Sequence, residues 1–407
     1  MVMNRFIREE DLSAPIDRSH TIVHSMDDGL ALRGANGGRL KVLHVGKFYP
    51  PHMGGIETHL QALCGELRKS LDLRVIVASD DRTRTDELLD GVAVSRIATP
   101  LSLASAPLCP GMIRAIREVD ADIVHIHLPN PTAILAYLMS GHPGRLVVSY
   151  HSDTVRQKVL GALFQPCLDA ALRRSDAIIV SSPNYQRSSM VLGRYRDRCH
   201  VIPYGINMAE FKHSDPVEVS DLRQQYGDRL VLSVGRLVYY KGFEYLIRAM
   251  TQVRGKLLII GDGPFRGKLL DLVSDLGLGE KVVLAGNIPD KLTRYYHAAD
   301  VFALASVARS EAFGIVQIEA MAAGLPVVNT QLDSGVPFVS IHEQTGLTVP
   351  PCEPGALAEA VNRLLDNPDL RASLGAAASL RAHQEFSLEA MATRTMSLYE
   401  QVMRRRN

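Results

Sequence analysis

The sequence lacks the paired cysteines of a disulfide framework or a zinc site. Its cysteines are odd in number, scattered along the chain and never arranged as C-x-x-C. They are Cys64, Cys109, Cys167, Cys199 and Cys352. This pattern excludes both classes of site and fits a reducing compartment.

The chain also lacks a dominant charge and long apolar runs. Its formal net charge is +1 over 407 residues, so no global field favours nucleic acid or a membrane surface. No run approaches the roughly 20 apolar residues of a spanning helix. The N-terminus, MVMNRFIREEDLSAPIDRSH, has acidic residues where a signal peptide needs an apolar core. We therefore expect a cytoplasmic protein that does not bind nucleic acid.

The composition, 46% hydrophobic and 22% charged, is that of a folded protein large enough for two domains. Residues 1–38 show no sustained periodicity and end in RGANGG, which predicts a mobile N-terminal extension. After them, short β-rich runs alternate with amphipathic segments. The runs are KVLHVG, LRVIVAS, DIVHIH, RLVVSY and DAIIVS, and then RLVLSVG, KLLIIG, KVVLAG, DVFALA and LPVVN.

This alternation predicts an α/β fold in which parallel sheets have helices on both faces. We predict two doubly wound, Rossmann-like domains, residues 39–210 and 229–385, joined by a polar linker at 211–228. A terminal helix, residues 386–407, is expected to begin at Ser387 as its N-cap and to pack back on the protein. Ligands are expected in the cleft between the domains.

Two glutamates stand in an otherwise apolar stretch, RSEAFGIVQIEAMAAG, as Glu311 and Glu319. Paired carboxylates occur in glycoside hydrolases, where they lie roughly 5 to 10 Å apart. On one continuous helix these two would be separated by roughly 12 Å. Because that is too far for a hydrolytic pair, we expect them to do something else.

A Pro-rich loop and two glycines, Gly54 and Gly55, follow the first strand and open a helix in KFYPPHMGGIETHLQALCGEL. Glycines at such a turn let backbone amides approach a phosphate. A tight turn that needs positive φ is the structural alternative. The full G-x-G-x-x-G spacing is missing, so both interpretations stay open.

Histidines occur at predicted strand ends. DIVHIHLPN carries His125 and His127 on one face of a strand, and RLVVSYHSD ends with His151. Most histidines are structural, but the carboxyl edge of a parallel sheet favours a functional role for His127 and His151. A metal site is disfavoured because the pair has no evident third ligand.

Two cations flank the turn after the first strand of the second domain. In SVGRLVYYKGFEYLIRAM, Arg236 leaves the strand and Lys241 precedes the next helix. A guanidinium fork and a compact ammonium suit a diphosphate, although solvated surface cations are the alternative. The next turn, IIGDGPFRGKLL, resembles a dinucleotide loop only imperfectly, and we interpret it as structural.

Together these motifs resemble those of a known family. The ordered series is PPHMGGIE, VHIHLP, YHSD, VIPYGIN, GRLVYYKG, GDGP and SEAFGIVQIEAMAAG. It is similar to that of the retaining nucleotide-sugar glycosyltransferases of family four, the glycogen-synthase-like group with the GT-B fold. The resemblance extends from about Lys41 to the terminal helix.

The resemblance implies roles for individual residues. Glu311 would contact hydroxyls of the transferred sugar and Glu319 the ribose of the nucleotide, while Arg236 and Lys241 would hold the diphosphate. From the first domain, Gly54 and Gly55 would offer backbone contacts to phosphate, His151 would lie against the donor sugar, and His127 would lie behind it or near the acceptor. The remaining donor-side positions are Ala312, Phe313, Gly314 and Ile315 in the turn into the Glu319 helix, and Ile288 in the segment GNIPD facing the base. No metal or other cofactor is implied.

The stretch HSDTVRQKVLGALFQPCLDAALRRSDAIIVSSPNY resembles enzymes of bacterial surface-polysaccharide and lipopolysaccharide assembly. These transfer mannose or a related 6-deoxy sugar from a GDP donor to a lipid-diphosphate-linked or other glycan. We therefore predict a GDP-mannose-dependent mannosyltransferase. The alternatives are a UDP-sugar or GDP-rhamnose donor, a UDP-sugar epimerase of the same fold, a nicotinamide-dependent oxidoreductase and a non-catalytic sensor.

Basic residues flank an apolar segment of the same stretch, namely Arg156, Lys158, Arg173 and Arg174. An amphipathic helix that rests on the anionic inner face of the cytoplasmic membrane would have this pattern. A core helix with solvated ends would have it too. Peripheral membrane contact is therefore an open expectation.

Overall fold

A computed structural model describes residues 38–52, 54–103, 106–152, 158–288 and 292–405. The predicted mobile extension, residues 1–38, lies outside these ranges apart from Gly38.

The strands of the first domain form one large sheet and a small hairpin. In chain order they are β1 Lys41–Val45, β2 Asp72–Ala78, β3 Thr85–Leu89, β4 Val92–Ile97, β5 Leu101–Leu103, β6 Ala106–Leu108, β7 Ile123–Leu128, β8 Arg145–Tyr150, β9 Ala177–Val180 and β10 Cys199–Val201. The sheet has the order β10-β9-β8-β7-β1-β2-β4-β3, and β5 pairs with β6. β3 runs antiparallel to β4, whereas the other pairs of the sheet are parallel.

Helices connect these strands where the sequence supplies start signals. They are α1 Gly55–Leu67, α2 Gly111–Glu118, α3 Pro131–Ser140, α4 Lys158–Arg174 and α5 Pro183–Ser188. Asn130 caps α3 by accepting a hydrogen bond from the Ala133 amide, and Ser182 caps α5 in the same way. In both helices a proline occupies the first turn, where its missing N–H costs nothing.

The second domain repeats the scheme with a six-stranded parallel sheet of order β13-β12-β11-β14-β15-β16. The strands are β11 Leu230–Val234, β12 Lys256–Ile260, β13 Val282–Gly286, β14 Val301–Ala303, β15 Val327–Thr330 and β16 Gly346–Val349. The helices are α6 Pro216–Tyr226, α7 Phe243–Ala249, α8 Arg266–Asp275, α9 Thr293–Ala298, α10 Ile315–Ala322, α11 Val336–Val339, α12 Pro354–Asp366, α13 Pro368–Glu385 and α14 Leu388–Arg404.

Each sheet is buried on both faces. In β1, Leu43 and Val45 point into one core and Val42 into another. In β11, Val231 and Leu232 likewise face opposite cores. Each such side chain contributes about 1.5 to 3 kcal/mol through burial. The prediction of two doubly wound domains is confirmed.

The terminal helix α14 packs on the first domain. The Ser387 hydroxyl accepts a hydrogen bond from the Ala390 amide and so starts the helix as expected. Met391, Leu398 and Val402 then join the core that covers β1 and β2. The last helix therefore returns to the domain in which the described chain begins.

Two local features differ from the expectations. The stretch predicted as a linker contains α6, because Asp215 caps a helix whose first residue is Pro216. The hairpin β3–β4 was not predicted, although its two-residue turn is Asp90-Gly91, with φ of 50° and 77°. Asp-Gly is a strong signal for such a turn.

Candidate active site

The turn after β11 places Lys241 against a glycine. Gly235 has φ of 154°, and a Cβ atom there would lie 3.3 Å from Cε of Lys241. Lys241 ends a one-turn helix, and Gly242 follows it with φ of 65°. Any side chain at Gly242 would collide with the Ala305 carbonyl oxygen. Both glycines are therefore needed for the lysine to lie where it does.

Lys241 forms an ion pair with Glu311. The distance from its Nζ to Oε2 of Glu311 is 2.6 Å, and the two side chains are only 11% and 9% exposed. The Ser306 hydroxyl donates to the same oxygen at 2.9 Å. Within the described part of the chain, Oε1 of Glu311 accepts no side-chain hydrogen bond. One carboxylate oxygen is thus held in place and the other is available to a ligand.

Arg236 lies near this pair in sequence but in a different environment. It is exposed directly after β11, and it forms no ion pair with any residue that the structure describes. An exposed guanidinium without a partner can turn toward an arriving anion at little cost.

The two glutamates lie on either side of a helix start. Residues 312–314 form the turn between Glu311 and α10, and Gly314, the N-cap, has φ of 74°. Phe313 is 2% exposed and contacts Tyr204 edge to face, with ring centroids 5.0 Å apart. Ala312 packs against the core of the first domain. The predicted turn is confirmed, and it also touches the opposite domain.

Glu319, on α10, is held by a buried tyrosine. The Tyr296 hydroxyl donates to its Oε2 at 2.6 Å. Burial raises the pKa of Glu319, and the hydrogen bond from Tyr296 acts in the opposite direction. The carboxylate is thus anchored through one of its two oxygens.

In the first domain, α1 begins at the predicted glycines. Gly54 is extended, with φ of −173°, and Gly55 is exposed with no atom within 4 Å of a Cβ placed on it. Neither glycine has the positive φ that a tight turn would require. No described side chain caps the helix, so its first amides have no side-chain partner among the described residues.

Histidines form a hydrogen-bonded row beside this helix. The Nδ1 of His44 lies 3.0 Å from Nε2 of His127, whose Nδ1 lies 3.1 Å from Nε2 of His151. The Nδ1 of His151 is 2.8 Å from the Tyr204 hydroxyl. Both nitrogens of His151 are thus engaged within the protein.

Burial keeps these rings neutral. It lowers the pKa of His44 to about 3, with His59 nearby adding to the effect, and it lowers the pKa of His59 to about 4. It also lowers the pKa values of His125, His127 and His151 well below the usual range. Neutral rings donate one hydrogen bond and accept one.

Several neighbours of the predicted residues were not foreseen. His44 pairs in register with His125 across β1 and β7, which only the strand order reveals. His59 lies on α1, edge-on to His151 at 5.1 Å. A cavity of about 10 Å³, lined in part by His59, His151 and Tyr204, has the size of one water molecule.

Two sets of three histidines are spaced closely enough for a metal ion, His44, His125 and His127, and His59, His127 and His151. Most of their nitrogens already hydrogen-bond to a neighbouring ring or hydroxyl, so a metal would have to replace those bonds. The carboxylates of the tripeptide Asp120-Ala121-Asp122 lie before β7, at the opposite edge of the sheet, and both bind Lys41. For the pair His127 and His151, His59 supplies the third nitrogen that was not evident from the sequence.

The remaining predicted residues are less closely tied to the site. Ile288 follows β13 and packs partly against the second-domain core, and residues 289 and 290 lie outside the described residues. Ile315 opens α10 and is half-buried.

Of the basic residues around α4, Arg156 lies outside the described ranges, and Lys158 is described only as the first residue of the helix. Arg173 pairs with Asp169 at 2.9 Å, and Arg174 lies over the ring of Tyr137. A search of the described helices found none long and apolar enough to cross a membrane.

The chain folds into two doubly wound domains. The second carries a cationic turn and two anchored glutamates, and the first carries a helix start without a side-chain cap. This combination is that of the GT-B class of glycosyltransferases. The comparisons with known proteins agree. The model of "Glycosyltransferase Family 4" matches residues 53–210, and that of "Glycosyl transferases group 1" matches residues 218–381. The chain belongs to glycosyltransferase family 4 and is a transferase.

Among similar curated proteins is the D-rhamnosyltransferase WbpZ of Pseudomonas aeruginosa, 32% identical over 86% of this chain and 92% of the relative. The O-antigen chain mannosyltransferase C of Escherichia coli is 32% identical over 88% of this chain and 98% of its own. The crystal structure of Anabaena HepE with UDP-glucose superposes with a TM-score of 0.73 at 23% identity, covering 89% of this chain and all of that one. It supports the fold alone.

Proposed function

We propose that this protein transfers mannose from GDP-mannose to a lipid-diphosphate-linked or other glycan, with retained anomeric configuration, in bacterial surface-polysaccharide synthesis. The observation that carries the proposal is the nearly buried pair of Lys241 and Glu311, 2.6 Å apart at the carboxyl end of β11. Burying an ion pair costs desolvation free energy, which further interactions must offset. A donor with an anionic diphosphate and a hydroxylated sugar would interact favourably with both charges.

The donor would lie along the second domain. Lys241 and the exposed Arg236 would bind the diphosphate, and the free Oε1 of Glu311 would accept hydrogen bonds from sugar hydroxyls. Glu319, anchored by Tyr296, would accept from the ribose hydroxyls, and Ile288 would lie by the base. The backbone amides at Gly54 and Gly55 would approach the phosphates from the first domain.

The reaction exchanges one C–O bond for another on the same face of the sugar. The bond from the anomeric carbon to the diphosphate oxygen breaks, and a bond from that carbon to an acceptor hydroxyl oxygen forms. The proton of the acceptor hydroxyl passes to the departing diphosphate. Lys241 and Arg236 would stabilise the negative charge that grows on the leaving group, which is the largest electrostatic demand of the step.

The choice of donor draws on the relatives. Several relatives are named as mannosyltransferases or rhamnosyltransferases. One of them, from Mycolicibacterium smegmatis, is GDP-mannose-dependent and 32% identical over 81% of this chain. Fold neighbours bind UDP or UDP-glucose, which keeps a UDP-sugar as the rival donor. GDP-rhamnose is the second rival.

A donor panel tests the proposal. GDP should raise the melting temperature of the protein more than UDP, ADP or NAD do, because a ligand that binds only the native state stabilises it. Turnover should be fastest with GDP-mannose when GDP-mannose, GDP-rhamnose and UDP-glucose are compared on a lipid-diphosphate-linked glycan. Stabilisation by UDP but not by GDP would contradict GDP-mannose as the donor. Stabilisation by NAD alone would contradict the glycosyltransferase function.

We also propose that α4 brings the protein to the inner face of the cytoplasmic membrane. Arg173 and Arg174 are exposed at the end of this helix, although Arg173 shares its charge with Asp169. Vesicles with anionic lipid should co-sediment the protein, and Arg174→Glu should weaken that binding at low salt. Equal binding to neutral vesicles would contradict this role.

A further inference from the structure

A single hydrogen-bonded chain crosses the first domain from the cleft to the terminal helix. Each link joins a ring nitrogen to a neighbouring ring nitrogen or hydroxyl within hydrogen-bonding range. The chain consists of Tyr204, His151, His127, His44, Tyr399, His125 and Ser149. Its members come from five strands and loops of the first domain and, through Tyr399, from α14.

Such a chain has only two self-consistent directions. Each neutral imidazole donates through one nitrogen and accepts through the other, so the tautomer of one ring dictates that of the next. A tyrosine hydroxyl in the middle has a single proton, and when that proton is used within the chain the hydroxyl donates to one neighbour and accepts from the other. A choice made at Tyr399 is therefore transmitted to His151 and Tyr204.

The chemistry at Tyr399 selects the direction. A phenol, with a pKa of about 10, is a much better proton donor than a neutral imidazole N–H. Hydroxyl donors also make shorter hydrogen bonds than N–H donors. The Tyr399 hydroxyl lies 2.6 Å from Nδ1 of His125 but 3.3 Å from Nε2 of His44. It therefore donates to His125 and accepts from His44.

The direction of the hydrogen bonds at Tyr399 determines the tautomer of each histidine from His44 to His151. His44 carries its hydrogen on Nε2 and accepts on Nδ1, and His127 and His151 do the same. The Nδ1 of His151 then accepts from the Tyr204 hydroxyl, in agreement with their 2.8 Å separation. The Tyr204 proton is therefore donated inside the protein, and toward any further partner its oxygen acts only as an acceptor.

We propose that Tyr399 of the terminal helix is a positioning residue that, through His44 and His127, holds His151 as its Nε2–H tautomer and keeps the Tyr204 oxygen an acceptor for a sugar hydroxyl. The proposal rests on the proposed transferase function. Tyr204 is half-buried, and its ring contacts Phe313 in the turn after Glu311, where the two domains meet.

Tyr399→Phe tests the relay because it removes one oxygen and keeps the ring. In the variant, the Nε2–H of His44 would be a buried donor without a partner, which costs more than an unpaired acceptor. The chain should relieve this by reversing, and His151 should shift toward its Nδ1–H form. Nitrogen-15 spectra of the histidine-labelled protein report this tautomer directly, with the His151 signals assigned by their loss in His151→Asn.

Kinetics supply the second readout. Because the reversed Tyr204 would donate where it should accept, kcat should fall about fivefold, the equivalent of one net hydrogen bond, while KM for the donor stays within about twofold. Tyr195→Phe is the matched control. Tyr195 is also buried in the first domain, but its hydroxyl donates to Asp169 at 2.9 Å, away from the chain. It should change neither the tautomer nor kcat.

A double variant decides whether the two ends act through the chain. Tyr399 and Tyr204 share no contact, so independent effects should add. If the relay operates, Tyr399→Phe should cost nothing further once Tyr204→Phe is in place. An unchanged His151 tautomer in Tyr399→Phe, or additive losses in the double variant, would overturn the proposal. The spectra need no donor, so a failed relay is distinguishable from a wrong transferase assignment.

Discussion

The two sides of the cleft solve the problem of polar groups in a folded interior differently. The second domain holds a charged pair, Lys241 and Glu311, whose members come from two loops at the edge of one sheet. The first domain holds neutral histidines, joined by hydrogen bonds that cross β1, β7 and β8. The side of the cleft formed by Lys241 and Glu311 is thus charged, and we call it the charged wall. The side formed by the buried histidines is uncharged, and we call it the neutral wall.

The difference assigns the two walls different tasks. Paired charges can exchange a protein partner for a ligand partner, so they suit binding an anion and stabilising charge as it develops. Neutral rings in a closed network offer fixed geometry and no net charge, so they suit orientation. Substitutions can therefore perturb one side of the cleft without the other.

The largest effect is expected on the charged wall. Lys241→Ala should reduce transfer about 1,000-fold, because the leaving diphosphate loses its buried cation. Steady-state rates with saturating donor measure this, and circular dichroism should show an intact fold. Lys268→Ala, an exposed lysine over the Phe265 ring in the same domain, is the matched control and should transfer normally. Wild-type rates in the Lys241 variant would refute its diphosphate role.

Lowering the pH should destabilise the protein through the buried histidines of the neutral wall. The folded-state pKa values of His44 and His59, about 3 and about 4, lie below the unfolded value of 6.5. Between those values the unfolded chain binds more protons, so stability is lost as pH falls. Each histidine changes the unfolding free energy by up to about 1.4 kcal/mol per pH unit. Urea titrations should therefore show a drop of at least about 3 kcal/mol between pH 6.5 and about pH 5 from these two histidines, and the lowered pKa values of the other buried histidines add to it.

His59→Gln isolates one of these contributions. No described side chain hydrogen-bonds to Nδ1 of His59, so this substitution leaves the row of His44, His127 and His151 in place. The pH slope of the variant should be shallower by up to about 1.4 kcal/mol per unit. An unchanged slope would show that His59 titrates normally in the folded protein.

The charged wall was largely predictable from the sequence and the neutral wall only in part. Lys241, Glu311 and the turn at Gly314 belong to short motifs whose strand-end position follows from the alternation of strands and helices. The contacts within the histidine row do not, because His44 meets His127 only through the strand order, and Tyr399 meets His44 only through the packing of α14. Periodicity predicts which residues are buried but not which distant residues they meet.

A smaller effect is expected at the nucleotide end of the charged wall. Glu319→Ala should weaken GDP binding roughly 10- to 100-fold, because hydrogen bonds to a charged carboxylate contribute about 1.5 to 3 kcal/mol. Isothermal calorimetry measures the change. Tyr296→Phe keeps the Glu319 carboxylate but removes its hydrogen bond, so GDP affinity should fall less. Glu359→Ala, on the exposed face of α12, should leave GDP affinity unchanged. Unaltered GDP affinity in Glu319→Ala would remove its ribose role.

The smallest effect is expected where the first domain faces the phosphates. Gly55→Ala adds a methyl group that meets no protein atom and needs no unusual φ, so the unfolding free energy should change by no more than about 0.5 kcal/mol. Donor affinity should nevertheless fall about fivefold if the backbone approaches a phosphate closely. Gly65→Ala, also open and inside the same helix, should stabilise the protein by about 1 kcal/mol and leave affinity unchanged. Because no described residue requires glycine at position 55, a loss of affinity there without a loss of stability would point to the ligand.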